Sequence, residues 1–373
     1  MPDSFNRTDA AVCPICESFD CIKDAEVVIS SIDTVFQKCP SCKTGILETH
    51  KPPPSEIKEP CPDCKKRFIN DVIAHCYNIL KENNDIKDTL PLSKTGIPLV
   101  TPGFAMRNPP FLPKRSLILI TPYASSQSAK RIVDEVLEVK GVIKDKLVIP
   151  GLNTNSKNDF SRNKLKPEKN PDSELISHTN TLLAGCDVRC DIFHAGRVPF
   201  VIYKNQSMMH IEFPRGFYPK INSVGENVRR YLPHTFIDAC SGAGTLGISS
   251  ALFGINNVIF NDLWYPAAYW TGMNLYSNRR VLDIEKCEFY LSFDELKEKS
   301  GVKKPVCACH FSGPFTSFDV YLGDYNMLNQ LGSPPLWEGT LTALDLFGKN
   351  DPDKLKDAVV SWKAKTGGDA FIP

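Results

Sequence analysis

Short apolar runs separated by turn-forming residues divide the C-terminal half of the chain into alternating strands and helices. Thr235–Ala239 predicts a strand, Thr245–Phe253 has apolar residues at helical spacing, and Val258–Phe260 predicts a second strand. The turn after the first strand is rich in glycine, and the second strand ends on Asn261-Asp262. A strand, a glycine-rich turn, a helix and a second strand are the elements of a doubly wound α/β domain.

The glycine-rich turn favours a ligand that comes close to the backbone. Gly242 and Gly244 carry no Cβ atom that would block such an approach. Asp262, at the tip of the second strand, is placed to accept hydrogen bonds from both hydroxyls of a ribose. The spacing of Gly242, Gly244 and Gly247 also fits the dinucleotide fingerprint, so the glycines alone leave the cofactor open.

The choice of cofactor is decided by Asp238, four residues before the first glycine, and by the small polar pair Cys240-Ser241. With these residues the stretch resembles the class I S-adenosylmethionine (SAM)-dependent methyltransferases, whose first motif often reads D-x-x-x-G-x-G. Pro266-Ala267 and the pair Asn274 and Asn278 look like the branch that contains many RNA-modifying enzymes, such as the tRNA guanine dimethyltransferases. The resemblance covers residues 215–373 and implies a Rossmann-like doubly wound methyltransferase sheet.

The resemblance also implies which residues bind SAM. The glycine loop would wrap the methionine end of the cofactor, and the acid of the second strand would bind its ribose. A third strand, Cys287–Leu291, would bring Ser292 and Phe293 to face the adenine. The SAM-binding residues implied in this way are Asp238, Cys240, Ser241, Gly242, Gly244, Thr245, Asp262, Leu263, Ser292 and Phe293.

The candidate catalytic residues are Asp324 and Tyr325. They follow Thr316–Leu322, which predicts a fourth strand that ends at the carboxyl edge of the sheet, where doubly wound folds hold their chemistry. Amino-methylating members of the family usually have D/N-P-P-Y/F here, whereas this chain has an acid and an aromatic residue without a proline pair. The cysteine of the cytosine C5 enzymes is also missing, so the methylated atom stays open. We expect Asp324 to take or stabilise the proton of an amine acceptor.

The last part of the sheet is predicted less completely. Leu336–Phe347 predicts a helix and Ala358–Trp362 a fifth strand, and the final β-hairpin usual in the family has no room after them. We therefore expect a sheet abbreviated at the C-terminus, a sheet completed by strands of a middle domain, or a chain that continues.

The N-terminal region carries three C-P-x-C pairs, which indicate zinc. Two such turns supply the four thiolates of a tetrahedral site. The β-prone runs Val27–Ser30 and Thr34–Gln37 lie between the first two pairs, as in a zinc ribbon. The predicted metal ligands are Cys13, Cys16, Cys39, Cys42, Cys61 and Cys64.

How these pairs combine is left open by the sequence. We favour one site from the first two pairs, and a second site from the third pair. His75 or Cys76 on the predicted helix Phe68–Lys81, or Cys186 and Cys190, would complete the second site. Cys21 is expected to bind no metal, and an iron–sulfur cluster is the alternative to zinc.

Three consecutive domains are predicted. Residues 1–85 form the zinc-ribbon-like region, residues 86–214 a small α+β middle domain that recognises substrate, and residues 215–373 the SAM-binding catalytic domain. The predicted elements of the middle domain are the strand Ser116–Thr121, the helix Ala129–Lys140, the strand Leu147–Ile149 and a hairpin of Pro199–Tyr203 and Met209–Phe213. Asn153–Asp172 is a polar segment that carries several lysines.

Composition and charge narrow the function. The chain has 373 residues, 42% of them hydrophobic, and a net charge of +1, which argues against non-specific coating of nucleic acid. No apolar run is long enough to span a bilayer, and the first residues lack the pattern of a secretory signal. C-P-x-C pairs that bind metal instead of forming disulfides fit a reducing cytoplasm.

Three functions remain. The first is a SAM-dependent methyltransferase whose zinc-ribbon-like region and middle domain hold RNA, with tRNA as the expected substrate. The second is a protein side-chain methyltransferase, which the balanced charge and the missing proline pair favour. The third is a non-enzymatic adaptor organised by zinc, which the intact motif residues Asp238, Gly242, Gly244 and Asp262 disfavour.

Overall fold

The computed structural model describes residues 12–43, 45, 48–146, 179–331, 337–346 and 351–373. The α-helices are α1 (Ala25–Ser30), α2 (Ile32–Val35), α3 (Ile69–Glu82), α4 (Ser126–Glu135), α5 (Pro219–Tyr231), α6 (Thr245–Leu252), α7 (Tyr265–Ser277), α8 (Phe293–Glu298) and α9 (Pro352–Thr366). The strands are β1 (Arg67–Phe68), β2 (Ile97–Val100), β3 (Phe111–Leu112), β4 (Leu117–Thr121), β5 (Val139–Lys144), β6 (Thr181–Gly185), β7 (Val188–Ala195), β8 (Val198–Asn205), β9 (Thr235–Asp238), β10 (Asn257–Asp262), β11 (Lys286–Phe289), β12 (Val306–Ser312), β13 (Ser317–Leu322), β14 (Thr340–Ala343) and β15 (Asp369–Phe371).

The chain divides into two compact units that alternate along the sequence. Among the described residues, the first unit contains residues 12–30, 190–204 and those from 214 to the end. The second unit contains the described residues between 31 and 189, and residues 205–213. The domains expected from the sequence were consecutive segments, whereas residues 12–30 belong to the same unit as the glycine-rich turn.

A seven-stranded sheet organises the first unit, in the order β11-β12-β13-β10-β9-β14-β15. The five strands from β13 to β15 run parallel, and β12 and β11 extend the sheet antiparallel at one edge. The parallel part is the Rossmann-like doubly wound arrangement predicted from the sequence. Helix α7, which follows β10, is buried on nearly every face, and this explains why its residues show no polar side.

The prediction for the end of the sheet was wrong in two elements. The run predicted as a helix contains the strand β14, which pairs in parallel with both β9 and β15. The run predicted as a fifth strand lies inside helix α9. Asp351 caps the start of α9 by accepting a hydrogen bond from the Lys354 N–H, and Gly367 ends it in the left-handed conformation at φ +76°. These capping residues outweigh the local β propensity of the run.

Among the described residues the sheet has seven strands and is not abbreviated, and its antiparallel strands β11 and β12 form one edge. The strand predicted as the third of the parallel set is β11, which is an edge strand paired only with β12 among the described strands. The true third strand is β13, the direct neighbour of β10. In this order Asp324, which follows β13, stands next to Asp262, which ends β10.

The second unit holds a four-stranded sheet in the order β2-β4-β5-β6. Helix α3 confirms the predicted helix almost residue for residue. Helix α4 begins earlier than predicted, at the capping box formed by Ser125 and Ser128, and ends before Val139 starts β5. The predicted strand 147–149 and the lysine-bearing segment 153–172 lie outside the described residues.

Two further predictions were wrong. The β-prone runs between the first cysteine pairs form the short helices α1 and α2, so the described residues contain no zinc-ribbon hairpin there. In α1 this run is held by packing: Val28 is buried, and Asp24, just before the helix, forms a bidentate ion pair with Arg279. The predicted hairpin is formed by β7 and β8 instead, with Gly196 at φ +61° in its turn.

Candidate cofactor and active site

Four neighbouring parallel strands each carry an aspartate at or just beyond the carboxyl end. Asp324 follows β13, Asp262 ends β10, Asp238 ends β9 and Asp345 follows β14. Burial raises the pKa of the Cys240 thiol well above its ordinary value, and the negative charges of all four aspartates raise it further. The four carboxylates therefore converge on the loop that follows β9.

The N–H groups of the glycine-rich loop are directed at these carboxylates. Gly242 donates to Oδ2 of Asp262 over 2.8 Å, and Gly247 donates to Oδ2 of Asp238 over 2.8 Å. The Gly244 N–H donates to the carbonyl oxygen of Ser241. In a dinucleotide site, by contrast, the N–H groups of such a loop and helix start point at the pyrophosphate. The N–H groups of Gly242, Gly244 and Gly247 are thus used inside the protein.

Two glycines of the motif have different roles. Gly242 is in the left-handed region at φ +53°, and a Cβ atom added to it would find no other heavy atom within 4 Å. The space beside Gly242 is therefore open for a ligand to approach the backbone. A Cβ atom on Gly247 would lie 2.1 Å from Cε1 of Phe260, so Gly247 allows α6 to pack closely on β10.

Both acids that end the central strands have pKa values raised by burial. Burial raises the pKa of Asp238 to about 7, and the charges of Asp345 and Asp262 add to this rise. Burial also raises the pKa of Asp262 to about 6. Oδ1 of Asp238 is buried without a hydrogen-bond partner among the described residues. A ligand that brings a donor and a positive charge would satisfy this atom and favour ionisation of both carboxyls.

Asp345 forms an ion pair at the same edge of the sheet. Its Oδ2 lies 2.5 Å from Nζ of Lys220, which is in the first turn of α5. Asp345 is mostly buried, whereas the lysine side chain is 45% exposed. Because β14 lies directly beside β9, Asp345 is the acid that stands next to Asp238 on the side away from Asp262.

Asp324 and Tyr325 follow β13, and Tyr325 packs against the core cluster that contains Ile237 of β9 and Leu344. Oδ1 of Asp324 accepts a hydrogen bond from the Asn326 N–H and caps the short 3-10 helix Tyr325–Gln330. The Tyr325 ring is 6.1 Å from that of Trp362. The catalytic assignment of Asp324, made because it follows a predicted strand at the carboxyl edge of the sheet, stays a prediction. That strand is separated from β9 by β10, and the position beside β9 belongs to Asp345.

The other predicted SAM-binding residues are spread over three elements. Leu263 follows Asp262 and is 52% exposed, and Thr245 begins α6. Ser292 caps α8, and the ring of Phe293 packs edge-on against Tyr265 and Tyr269 of α7. Strand β11, which precedes Ser292 and Phe293, is separated from β10 by β12 and β13. The adenine contacts of Ser292 and Phe293 stay predictions.

The two asparagines four residues apart on α7 have a clear structural function. The amide of Asn274 accepts from the Tyr203 N–H over 2.6 Å and donates to the carbonyl oxygens of Tyr203 and Ala243, both over 2.9 Å. The amide of Asn278 bonds in the same way to the N–H and carbonyl of Val201. Both side chains thus complete the edge of β8, and Asn274 also holds the glycine-rich loop.

The second and third cysteine pairs form one four-thiolate group. The Sγ atoms are 3.7 Å apart between Cys39 and Cys42, 3.6 Å between Cys39 and Cys61, and 3.4 Å between Cys42 and Cys64. A tetrahedral zinc with Zn–S bonds of about 2.3 Å places its sulfur atoms about 3.8 Å apart. The donors and their spacing therefore fit a structural zinc ion.

The pairing favoured from the sequence was wrong. Cys13 and Cys16 are grouped instead with Cys21, and the Sγ atoms of these three residues all lie within 4.8 Å of one another. Cys21, expected to bind no metal, is thus in a potential ligand set. His75 and Cys76 belong to neither group: Nδ1 of His75 contacts Arg67, and Cys76 is fully buried in a hydrophobic core.

No protein-family model matches the sequence, and no curated protein matches it significantly. Among solved structures, the chain is similar to the tRNA m1G37 methyltransferase of M. jannaschii, with 11% identity over 77% of this chain and 61% of that one, and a TM-score of 0.33. It is also similar to Trm1 from Pyrococcus horikoshii in complex with SAM (19% identity, 42% and 36% of the two chains, TM-score 0.26) and to P. horikoshii TYW2 in complex with MeSAdo (16%, 56% and 60%, 0.27). The chain spans about three fifths of the first of these structures. In the described residues no helix combines the length and apolarity needed to cross a bilayer.

Proposed function

We propose that the protein is a SAM-dependent methyltransferase that acts on RNA, with tRNA as the substrate. The observation that carries the cofactor assignment is the convergence of four aspartates on the loop after β9, where the N–H groups of Gly242 and Gly247 are bonded to two of these carboxylates. SAM has a net positive charge, which this edge attracts. Two like charges about 4 Å apart near a protein surface repel by on the order of 4 kcal/mol, so the pyrophosphate of a dinucleotide is disfavoured here.

The residues of the loop would hold SAM, which supplies a methyl group activated by its sulfonium sulfur. An ionised carboxylate can accept about four hydrogen bonds, and Asp262 accepts from the N–H groups of Gly242, Leu263 and Trp264. Its remaining acceptor capacity is available to a ribose hydroxyl. Oδ1 of Asp238 is available to an ammonium group, and the open space beside Gly242 admits the ligand to the backbone.

Asp345 is the candidate catalytic residue in this proposal. It follows β14 and therefore stands beside the end of β9, next to Asp238. A carboxylate there would stabilise the charge that builds on an amine acceptor and would hold its proton as the methyl group arrives.

RNA is favoured as the acceptor by the motif resemblance around α7 and by lysines beside the zinc site. Only part of that basic cluster is available to a polyanion. Lys66 bonds to the carbonyl oxygens of Thr34 and Gln37, and Arg67 is buried against Glu138. Lys43 and Lys65 remain. Because Lys66 and Arg67 are engaged inside the protein, and because the net charge is balanced, protein is the second candidate acceptor.

Mass spectrometry of RNA and protein from cells that lack this protein tests the acceptor. We expect one methylated nucleoside to disappear from tRNA. A methylated side chain lost from one protein, with tRNA unchanged, would establish the second candidate instead.

A further inference from the structure

We infer that Lys220 is a positioning residue that holds Asp345 in place for methyl transfer. The inference rests on the proposed function, because it gives Asp345 its role. It starts from the ion pair between Nζ of Lys220 and Oδ2 of Asp345.

The pair is not explained by stability. Ion pairs that include a half-exposed lysine contribute little to folding, since water solvates both partners well. The helix does not favour Lys220 either. It stands in the first turn of α5, where the helix dipole repels a positive charge, and no acid lies in that turn.

The acidic surroundings of Asp345 explain why a lysine is paired with it. The negative charge of Asp345 raises the pKa of both Asp238 and Cys240, and the charge of Asp262 does the same. Carboxylates that act on the same groups repel one another, and this repulsion disfavours Asp345 at its place beside Asp238. Lys220 is the cation that opposes this, and it also lowers the pKa of Asp238.

The position of Lys220 is itself fixed. Tyr218, the residue before α5, has its ring 4.8 Å from that of Phe193, and its hydroxyl donates to the carbonyl oxygen of Ile192. The helix then packs against β14, the strand that leads to Asp345. Both ends of the ion pair are therefore held by the fold of the first unit.

A double-mutant cycle tests this inference. Methyl transfer from labelled SAM into an RNA and protein extract of cells lacking the protein would be measured for Lys220→Met, Asp345→Asn and the double variant. If Lys220 acts through Asp345, Lys220→Met lowers kcat about tenfold or more and leaves the KM for SAM within threefold. It should then have no further effect in the Asp345→Asn background, and Lys220→Arg should restore most of the rate.

The matched control is Lys363→Met, which removes the lysine of another Lys–Asp pair of the same unit, that with Asp369 at 2.8 Å. It should leave kcat unchanged. An equal loss in both backgrounds, or a rise in the KM for SAM with unchanged kcat, would overturn the inference and leave the proposed function intact. A wild-type protein that transfers no methyl group to the extract would overturn both.

Discussion

Gly242 donates its backbone N–H to Oδ2 of Asp262 over 2.8 Å, and this bond joins the glycine-rich loop to the acid at the end of β10. In a phosphate-binding loop the same N–H would face an anion from outside the protein. Here the anion is part of the protein. Beside the loop, the four aspartates that act on Cys240 form an acidic site for the ligand. The relationship explains how a Gly-x-Gly-x-x-Gly spacing can serve a cationic cofactor.

Replacement of the acid should weaken the cofactor. Asp262→Ala removes a charged acceptor, so we expect SAM binding to weaken by about 1.5–3 kcal/mol in calorimetry. Asp319→Asn is a matched control, since Asp319 lies on β13 of the same sheet and pairs with His310. Equal SAM affinity in wild type and Asp262→Ala would remove Asp262 from the site.

Cofactor binding should depend on pH. Because the pKa of Asp238 is raised to about 7 and that of Asp262 to about 6, both carboxyls lose protons between about pH 5.5 and 7.5. SAM affinity should rise at least about fivefold over this range, since a cation binds the ionised forms better. S-adenosylhomocysteine, whose sulfur is neutral, should show a smaller change, and equal pH dependence of the two ligands would contradict the account.

The same pKa values affect stability in the opposite direction. In the ligand-free protein the carboxyls of Asp238 and Asp262, whose pKa values are raised, keep their protons to higher pH than they do in the unfolded chain. The free energy of unfolding should therefore fall as pH rises from about 4 to about 7. Urea denaturation at several pH values checks this, and in the variant Asp238→Asn the decline should be smaller.

The two asparagines of α7 should be separable by function. Asn274→Ala and Asn278→Ala each remove hydrogen bonds to β8, so each should lower the free energy of unfolding by about 2–4 kcal/mol. Only Asn274 bonds to the loop, at the carbonyl oxygen of Ala243. SAM affinity measured below the unfolding range should fall for Asn274→Ala and stay near normal for Asn278→Ala. Equal losses of affinity would mean that Asn274 has no special link to the loop.

Removal of a thiolate should remove a metal ion. Protein purified without chelators should contain zinc, and Cys42→Ser should lose about one equivalent and unfold locally, because structural zinc contributes folding energy. SAM affinity should be largely retained. Cys307→Ser is the control, since Cys307 belongs to neither cysteine group. Zinc content that is unchanged in Cys42→Ser would refute the four-thiolate site.

The sequence predicts the part of the site that is local. The stretch from Asp238 to Asp262 is a contiguous strand, loop, helix and strand, and its glycines and acids have fixed positions relative to one another. The place of Asp324 and Asp345 depends on which strand lies beside β9, and strand order is set by contacts between residues far apart in the chain. The sequence therefore located Asp238, Asp262 and Asp324 at strand ends but missed Asp345, because the run that contains β14 was predicted as a helix. The catalytic assignment of Asp324 stays a prediction.

The cysteine pairs show the same limit. Each C-P-x-C turn is visible in the sequence because its two thiolates are three residues apart. Which turns combine depends on the path of the chain between them, and the β-prone runs that suggested a ribbon form helices packed by Val28 and its neighbours. Propensity was overridden by tertiary contacts.

The most direct test of the account is calorimetry of the purified protein with SAM and with NAD at about pH 7.5. Because four aspartates form an acidic site around Cys240, we expect SAM to bind with micromolar affinity and NAD to give no measurable heat. NAD binding tighter than SAM would contradict the central claim, because it would require the four aspartates to accept a pyrophosphate.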